Sequence, residues 1–160
     1  MTKRKTTFQI SSRSGIGRKL KGHPHPQRIR PTHEPWPEIK PVQGIMPDSK
    51  EEYWVALALW KLHIDFRFQY QLFGGRKFKG GQVVDFWVYT NPLPTPIYVQ
   101  GWYFHYATAA RAAQSKRNLM YIEDRLRGKA NKPVEIIDLE IPTPDDTVRV
   151  VRKKLSLSRS

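Results

Sequence analysis

The chain is 160 residues long, carries 28 Lys and Arg against 14 Asp and Glu for a formal net charge of +14, and has no cysteine. That length suits one domain with a moderate core plus tails, and the missing cysteine excludes disulfides and thiolate metal sites while fitting a reducing compartment. The charge calls for a polyanion, expected to be nucleic acid rather than a membrane, since there is neither an apolar run of about 18 residues nor a basic amphipathic helix with an open apolar face.

Residues 1–48 hold ten Lys and Arg, three acids (Glu34, Glu38, Asp48) and seven of the thirteen prolines. Such a stretch buries too little apolar surface to offset its ordering entropy, so residues 1–46 are expected to form a disordered or extended basic arm. Its first nine cations, from Lys3 through Arg18, Lys19 and Lys21 to Arg30, all precede the first acid, which suits tracking phosphates; a solubilising tail has the same composition. His23, His25 and His33 lie among prolines without regular ligand spacing, so no zinc site is expected there. The charged start lacks the apolar stretch of a secretory signal. It is poor in acids like an organelle transit peptide, but Pro24, Pro26 and Pro31 oppose the single long amphipathic helix such a peptide needs.

The folded domain is expected over 47–155. Ser49 with Glu52 three residues on fits a capping box, and Trp54, Val55, Leu57, Ala58, Leu59 and Leu62 predict a helix over 50–62, apolar most of the way round and so packed between a sheet and another layer. The loose alternation from His63 to Leu72 predicts a half-buried strand. Gly74-Gly75 and Gly80-Gly81 bracket Arg76, Lys77 and Lys79, a flexible basic hairpin tip suited to a nucleic-acid backbone, without the order of a phosphate-cradling nucleotide loop. Strands are predicted at 83–89 and 97–104, joined antiparallel across a loop with Pro92, Pro94 and Pro96. A helix is predicted over 107–127 with Gly128 as its stop, one face carrying Arg111, Lys116 and Arg117. A strand over 134–141 and a short helix begun at Asp145-Asp146-Thr147 close the domain. The elements make a mixed α/β domain without internal repeats.

Asp85 is the informative residue, because a carboxylate between Val84 and Phe86 is costly to bury alone. Antiparallel pairing of the two central strands is expected to bring it near Gln100 and His105, with Glu52 supplied by the preceding helix. Asp85, Gln100 and Glu52 would present hard oxygen ligands to Mg²⁺, the cation that phosphodiester cleavage needs to polarise the phosphate and activate water, and His105 is an imidazole able to move a proton or hold phosphate.

The helix with Glu52, the stretch FQYQLFGGRKFKGGQVVDF, the following VQGWYFH, the long helix and the closing VEIIDLEI…DDTVRVVRKKL resemble the PD-(D/E)xK nuclease superfamily. Within it, the pattern is most similar to phage and bacterial proteins akin to very-short-patch mismatch endonucleases. The resemblance covers about 47–155. It implies a restriction-endonuclease-like mixed β-sheet flanked by helices, Mg²⁺-dependent cleavage of DNA, and a phage or bacterial cytoplasmic setting. Glu52 would match the helix acid, Asp85 the strand acid, and Gly101 with His105 the G-x-x-x-H end of the next strand. The usual E-x-K falls near Tyr98-Val99-Gln100, which has neither the acid nor the lysine, so a DNA-binding or nucleoprotein component that has lost cleavage is the alternative. Each residue also has a plainer role open to it. Glu52 can be only a capping glutamate, Asp85 an ion-pair partner of Arg76, Arg111 or a lysine, Gln100 a core amide, and His105 a structural histidine. Trp102, Tyr103 and Phe104 are expected to pack at the core and its rim rather than to stack on bases.

Overall fold

The computed structural model describes residues 38–158. The arm cations from Lys3 to Arg30, including Arg18, Lys19 and Lys21, and the three arm histidines therefore lie outside the described residues. Among the described residues, no helix is long and apolar enough to cross a membrane.

Helix α1 (Lys50–Lys61) starts where Ser49 Oγ accepts the Glu52 N–H, the role its spacing predicts. It ends as His63 turns to a left-handed φ of 53°. Strands β1 (Phe66–Leu72), β2 (Gln82–Val88) and β3 (Thr95–Gln100) form an antiparallel meander, and β4 (Val134–Ile137) adds parallel to β3 in the order β1-β2-β3-β4. A parallel neighbour requires a crossover, supplied here by α2 (Trp102–Tyr106) and α3 (Ala109–Arg125). Helix α4 (Pro144–Ser158) then packs on α1. The molecule is thus an α/β fold with a four-stranded mixed sheet flanked by helices.

The main core joins Val55, Ala56 and Leu59 of α1 to Phe66, Phe68, Phe86, Val88, Ile97 and Ile136 of the sheet and to Val151 and Leu155 of α4. Helix α1 is therefore sandwiched between sheet and α4, as its all-round apolarity predicts. Phe86 is fully buried, with Phe66 at 5.5 Å and Phe68 at 5.1 Å between ring centroids; burying a side chain of this size contributes about 1.5–3 kcal/mol. A smaller cluster of Leu72, Val84, Ile122 and Leu126 seats α3 on the other side.

Several elements differ from expectation, each for a local reason. Residues 42–45, expected in the arm, dock on the domain: Val42 is fully buried, and the Gln43 amide donates to Phe66 O and accepts from Phe68 N–H along the free edge of β1. Strand β3 stops at Gln100 instead of continuing to 104. Gly101 caps α2, whose first N–H, from Trp102, is accepted by Asp138 Oδ1 at 3.0 Å. Strand β4 ends at Ile137 rather than 141, because Asp138–Glu140 form a 3-10 turn closed by the Ile137 N–H donating to Glu140 Oε2. Helix α3 starts at Ala109, since Thr108 Oγ1 accepts the Arg111 N–H.

The β1–β2 hairpin tip has a defined shape. Gly75–Lys77 form a 3-10 turn, Phe78 N–H donates to Gly75 O, and Gly81 N–H donates to Phe78 O. A Cβ on Gly81 would stand 1.8 Å from Gly75 O, a backbone collision that no rotamer relieves. Gly81→Ala should therefore cost about 1–3 kcal/mol, measured as a drop in the thermal midpoint.

Candidate functional site

The centre of β2 departs from regular alternation at Asp85. Phe86 packs with the α1/α4 core while Val84 joins the cluster under α3. Between the partners Phe68↔Phe86 and Tyr70↔Val84, Gln69 takes a left-handed φ of 47°. On the other side, the β2–β3 ladder runs only from Val88↔Thr95 to Phe86↔Ile97. Beyond it the strands part, and the Asp85 carboxylate fills the gap by accepting the Val99 N–H at 2.7 Å. One carboxylate oxygen thus substitutes for a missing ladder bond.

Glu52 comes to the same place from α1. It is 8% exposed, and its Oε2 accepts the Asp48 N–H at 3.1 Å, so the reciprocal half of the expected capping box reaches one residue further back than Ser49. Desolvation first, and then the charge of Asp85, push its pKa to about 7. Burial likewise lifts Asp85 to about 6, against the lowering pull of the Val99 N–H. Asp48 raises both, and Arg76 acts on Asp85 in the lowering direction, behind the other causes. The ion pair to Arg76, Arg111 or a lysine, the plainer role open to Asp85, is not formed among the described residues; Arg111 instead donates to Tyr103 O and lies over the Tyr103 ring. Two carboxylates are therefore held in one field with no cation ion-paired to either among the described residues, which is electrostatically costly unless a proton or a metal intervenes.

The structure also shows what the neighbouring strand contributes. Gln100 is 8% exposed and its Oε1 is buried without a hydrogen-bond donor. The Tyr98 hydroxyl is also buried and unpartnered, its pKa raised by burial and by Asp85, so it stays protonated. Tyr98 and Asp48 are the site residues that sequence reasoning missed. Tyr98 stands at the expected acid's place, and Asp48 is hidden as a helix-start residue.

His105 is placed differently from expectation. It lies in the last turn of α2, not at a strand end, and its Nδ1 is 3.0 Å from the buried Ser115 Oγ on α3. Its described polar partner is Ser115, not either carboxylate. Nor do Trp102, Tyr103 and Phe104 pack as a strand: Tyr103 is 40% and Phe104 73% exposed, because the helix that replaces the strand turns them outward. Arg111, Lys116 and Arg117 are exposed but do not share one face of α3, since at about 100° per residue they are spread around the axis. Arg76, Lys77 and Lys79 are exposed at the hairpin tip.

Among the described residues, no group of three or more His, Asp or Glu is placed to hold a metal. The acids brought together are Glu52 from α1 and Asp85 from β2, while Tyr98 lies in the field of Asp85 but packs with the cluster under α3. Both acids are hard oxygen donors, and Mg²⁺ ordinarily takes one or two carboxylates and keeps several waters. The two acids, both with raised pKa values, thus fit such a cation. Gln100→Glu should raise Mg²⁺ affinity several-fold and lower metal-free stability at pH 8 by adding a third charge; both follow from melting curves at graded Mg²⁺.

Comparison of the chain with protein-family models, with curated proteins and with solved structures finds no match in any of the three.

Proposed function

We propose that this chain is a Mg²⁺-dependent DNA endonuclease of the PD-(D/E)xK, restriction-endonuclease-like kind. The observation that carries the reading is the convergence of Glu52 from α1 and Asp85 from β2 into one uncompensated acidic pair on a chain of net charge +14. Positive charge that gathers a polyanion and a local acidic pair that gathers a divalent cation are the two requirements of metal-assisted phosphodiester hydrolysis. The order α1-β1-β2-β3-α2-α3-β4-α4 around a mixed sheet supports it, being, apart from the short α2, the sequence of elements that the resemblance implies.

In this reading Asp85 and Glu52 hold the cation and Gln100 Oε1 completes or orients the set. Bound there, Mg²⁺ would polarise the phosphate and lower the pKa of an attacking water. Tyr98, kept protonated, would donate to a ligand oxygen. His105 would assist proton transfer through Nε2, its Nδ1 being turned to Ser115. Arg76, Lys77, Lys79 and the cations of α3 would hold the backbone.

A second reading rests on Tyr98 and Gln100 standing where the superfamily keeps its acid and lysine: a nucleic-acid-binding or nucleoprotein component that retains the fold without cutting. Incubating supercoiled, branched and mismatched DNA with the protein and Mg²⁺ or Mn²⁺ decides between them. Metal-dependent nicking supports the endonuclease. Salt-sensitive binding without any nicking supports the second reading and sinks the first.

A further inference from the structure

Among the described residues, no strand pairs with the outer edge of β1 or of β4, the two ends of the sheet. Open edges of this kind present unpaired N–H and C=O groups that invite another strand. Both edges here are closed by side chains. On β1 the Gln43 amide donates to Phe66 O at 2.7 Å and accepts the Phe68 N–H at 2.9 Å. On β4 the Lys154 ammonium donates to Glu135 O at 2.5 Å while Glu140 Oε2 accepts the Ile137 N–H at 2.9 Å, and the two side chains are ion-paired at 2.6 Å. Each device gives a donor to one carbonyl and an acceptor to the N–H two residues further on, the two bonds that a neighbouring strand would otherwise make.

The edge of β1 is where such a guard matters most. Phe66–Leu72 reads FRFQYQL, with three aromatic rings, a single charge and neither Pro nor Gly, the composition that pairs readily when it lies open on an edge. On a chain of net charge +14, it is also a stretch along which two copies meet little repulsion. The turn that carries Gln43 does not itself call for glutamine. Val42 and Ile45 exchange backbone bonds around Gln43 and Gly44, which take φ of 52° and 82°, the left-handed combination of a type I′ turn, where Asn, Asp or Gly is favoured at the first position. The longer side chain is what reaches β1, and the fully buried Val42 pins the turn beside it.

We propose that the outer edge of β1 is a self-association surface held shut by Gln43. With the clamp in place, Phe66 O and Phe68 N–H are occupied and the chain stays monomeric at this edge. With it withdrawn, two copies join β1 to β1 antiparallel about a two-fold axis, into one continuous sheet. An antiparallel edge is complementary to itself, so a second copy of this chain is the partner that fits. The inference needs nothing of the cleavage reading.

The test is sedimentation velocity of the full chain over a concentration series, without DNA and in EDTA, paired with hydrogen exchange at the Phe68 amide. Wild type should stay monomeric with that amide protected. Gln43→Gly removes the clamp while suiting the left-handed backbone of the turn, so the fold is kept. It should dimerise at concentrations about tenfold below any at which wild type does, and more tightly as NaCl screens the net charge. Its Phe68 amide should exchange faster than in wild type while monomeric and regain protection in the dimer. Gln43→Lys, which leaves a charge standing on the edge, should stay monomeric. A Gln43→Gly chain that remains monomeric overturns the proposal, as does a wild type or a Gln43→Lys chain that dimerises equally well. A Gln43→Gly dimer whose Phe68 amide exchanges as fast as in the monomer overturns it too, since the copies would then meet on another surface.

Discussion

The thermal midpoint of the metal-free protein should fall as pH rises from about 4 to 8, and Mg²⁺ should restore it at the upper end. The sign follows from the two central acids. Glu52 is raised from 4.5 to about 7 and Asp85 from 3.8 to about 6, so the folded state holds more protons than the unfolded chain across this window, and stability declines wherever that is so. Their favourable contribution is complete below the unfolded values, near pH 4, and is lost once pH passes about 7. The loss from Glu52 alone is on the order of 3 kcal/mol, worth several degrees in a domain of this size. A divalent cation supplies at pH 8 the positive charge that the proton supplies at pH 5. Glu52→Gln should therefore raise the midpoint at pH 8, flatten the pH dependence and weaken the Mg²⁺ response. A glutamate that served only as a helix cap would do the reverse, losing stability on substitution at every pH. Scanning calorimetry between pH 4 and 8, with EDTA or with Mg²⁺, separates the two.

Asp85→Asn should abolish metal-dependent nicking, by about a thousandfold or more, while leaving the fold and DNA binding in place. Asparagine can still accept the Val99 N–H, so the bond that spans the gap between β2 and β3 is kept, and relief from an uncompensated charge offsets what is lost. What disappears is the negative charge that fixes the cation, and Lewis-acid assistance worth several kcal/mol is worth several powers of ten in rate. Single-turnover nicking at saturating protein isolates this from affinity. An Asp85→Asn chain that cuts at the wild-type rate would remove Asp85 from the chemistry and leave it as the residue that closes the ladder. Asp85→Ala should lose the ladder bond as well, leaving the buried Val99 N–H unpaired at a cost of about 1–3 kcal/mol. The pair of variants therefore divides the structural role of this carboxylate from its electrostatic one.

Those two roles show where sequence patterns sufficed. The helix over 50–61 was legible because Ser49 and an uninterrupted apolar run fix both its start and its burial, and the β2–β3 pair was legible from its β-branched and aromatic residues. Patterns of this kind report local geometry, which short stretches of chain determine by themselves. The stretch from Gly101 to His105 departs from its local pattern for the same reason. Its aromatic residues favour a strand locally, but Asp138, 36 residues further on, accepts the Trp102 N–H and allows a helix instead. The early end of β4 has no local sequence signal, because a side chain, Glu140, closes the turn.

The sequence by itself determined the mixed α/β class, the basic surface and the candidacy of Glu52 and Asp85, since composition, periodicity and a lone acid in an apolar strand are all properties of neighbouring residues. Only the tertiary structure decided that Glu52 and Asp85 share one field, that the buried Gln100 Oε1 and Tyr98 hydroxyl lack partners, and that His105 turns to Ser115. Each of these depends on which distant groups meet when helices cross a sheet, on how much water is excluded there, and on which hydrogen bonds are left over once the backbone has taken its own.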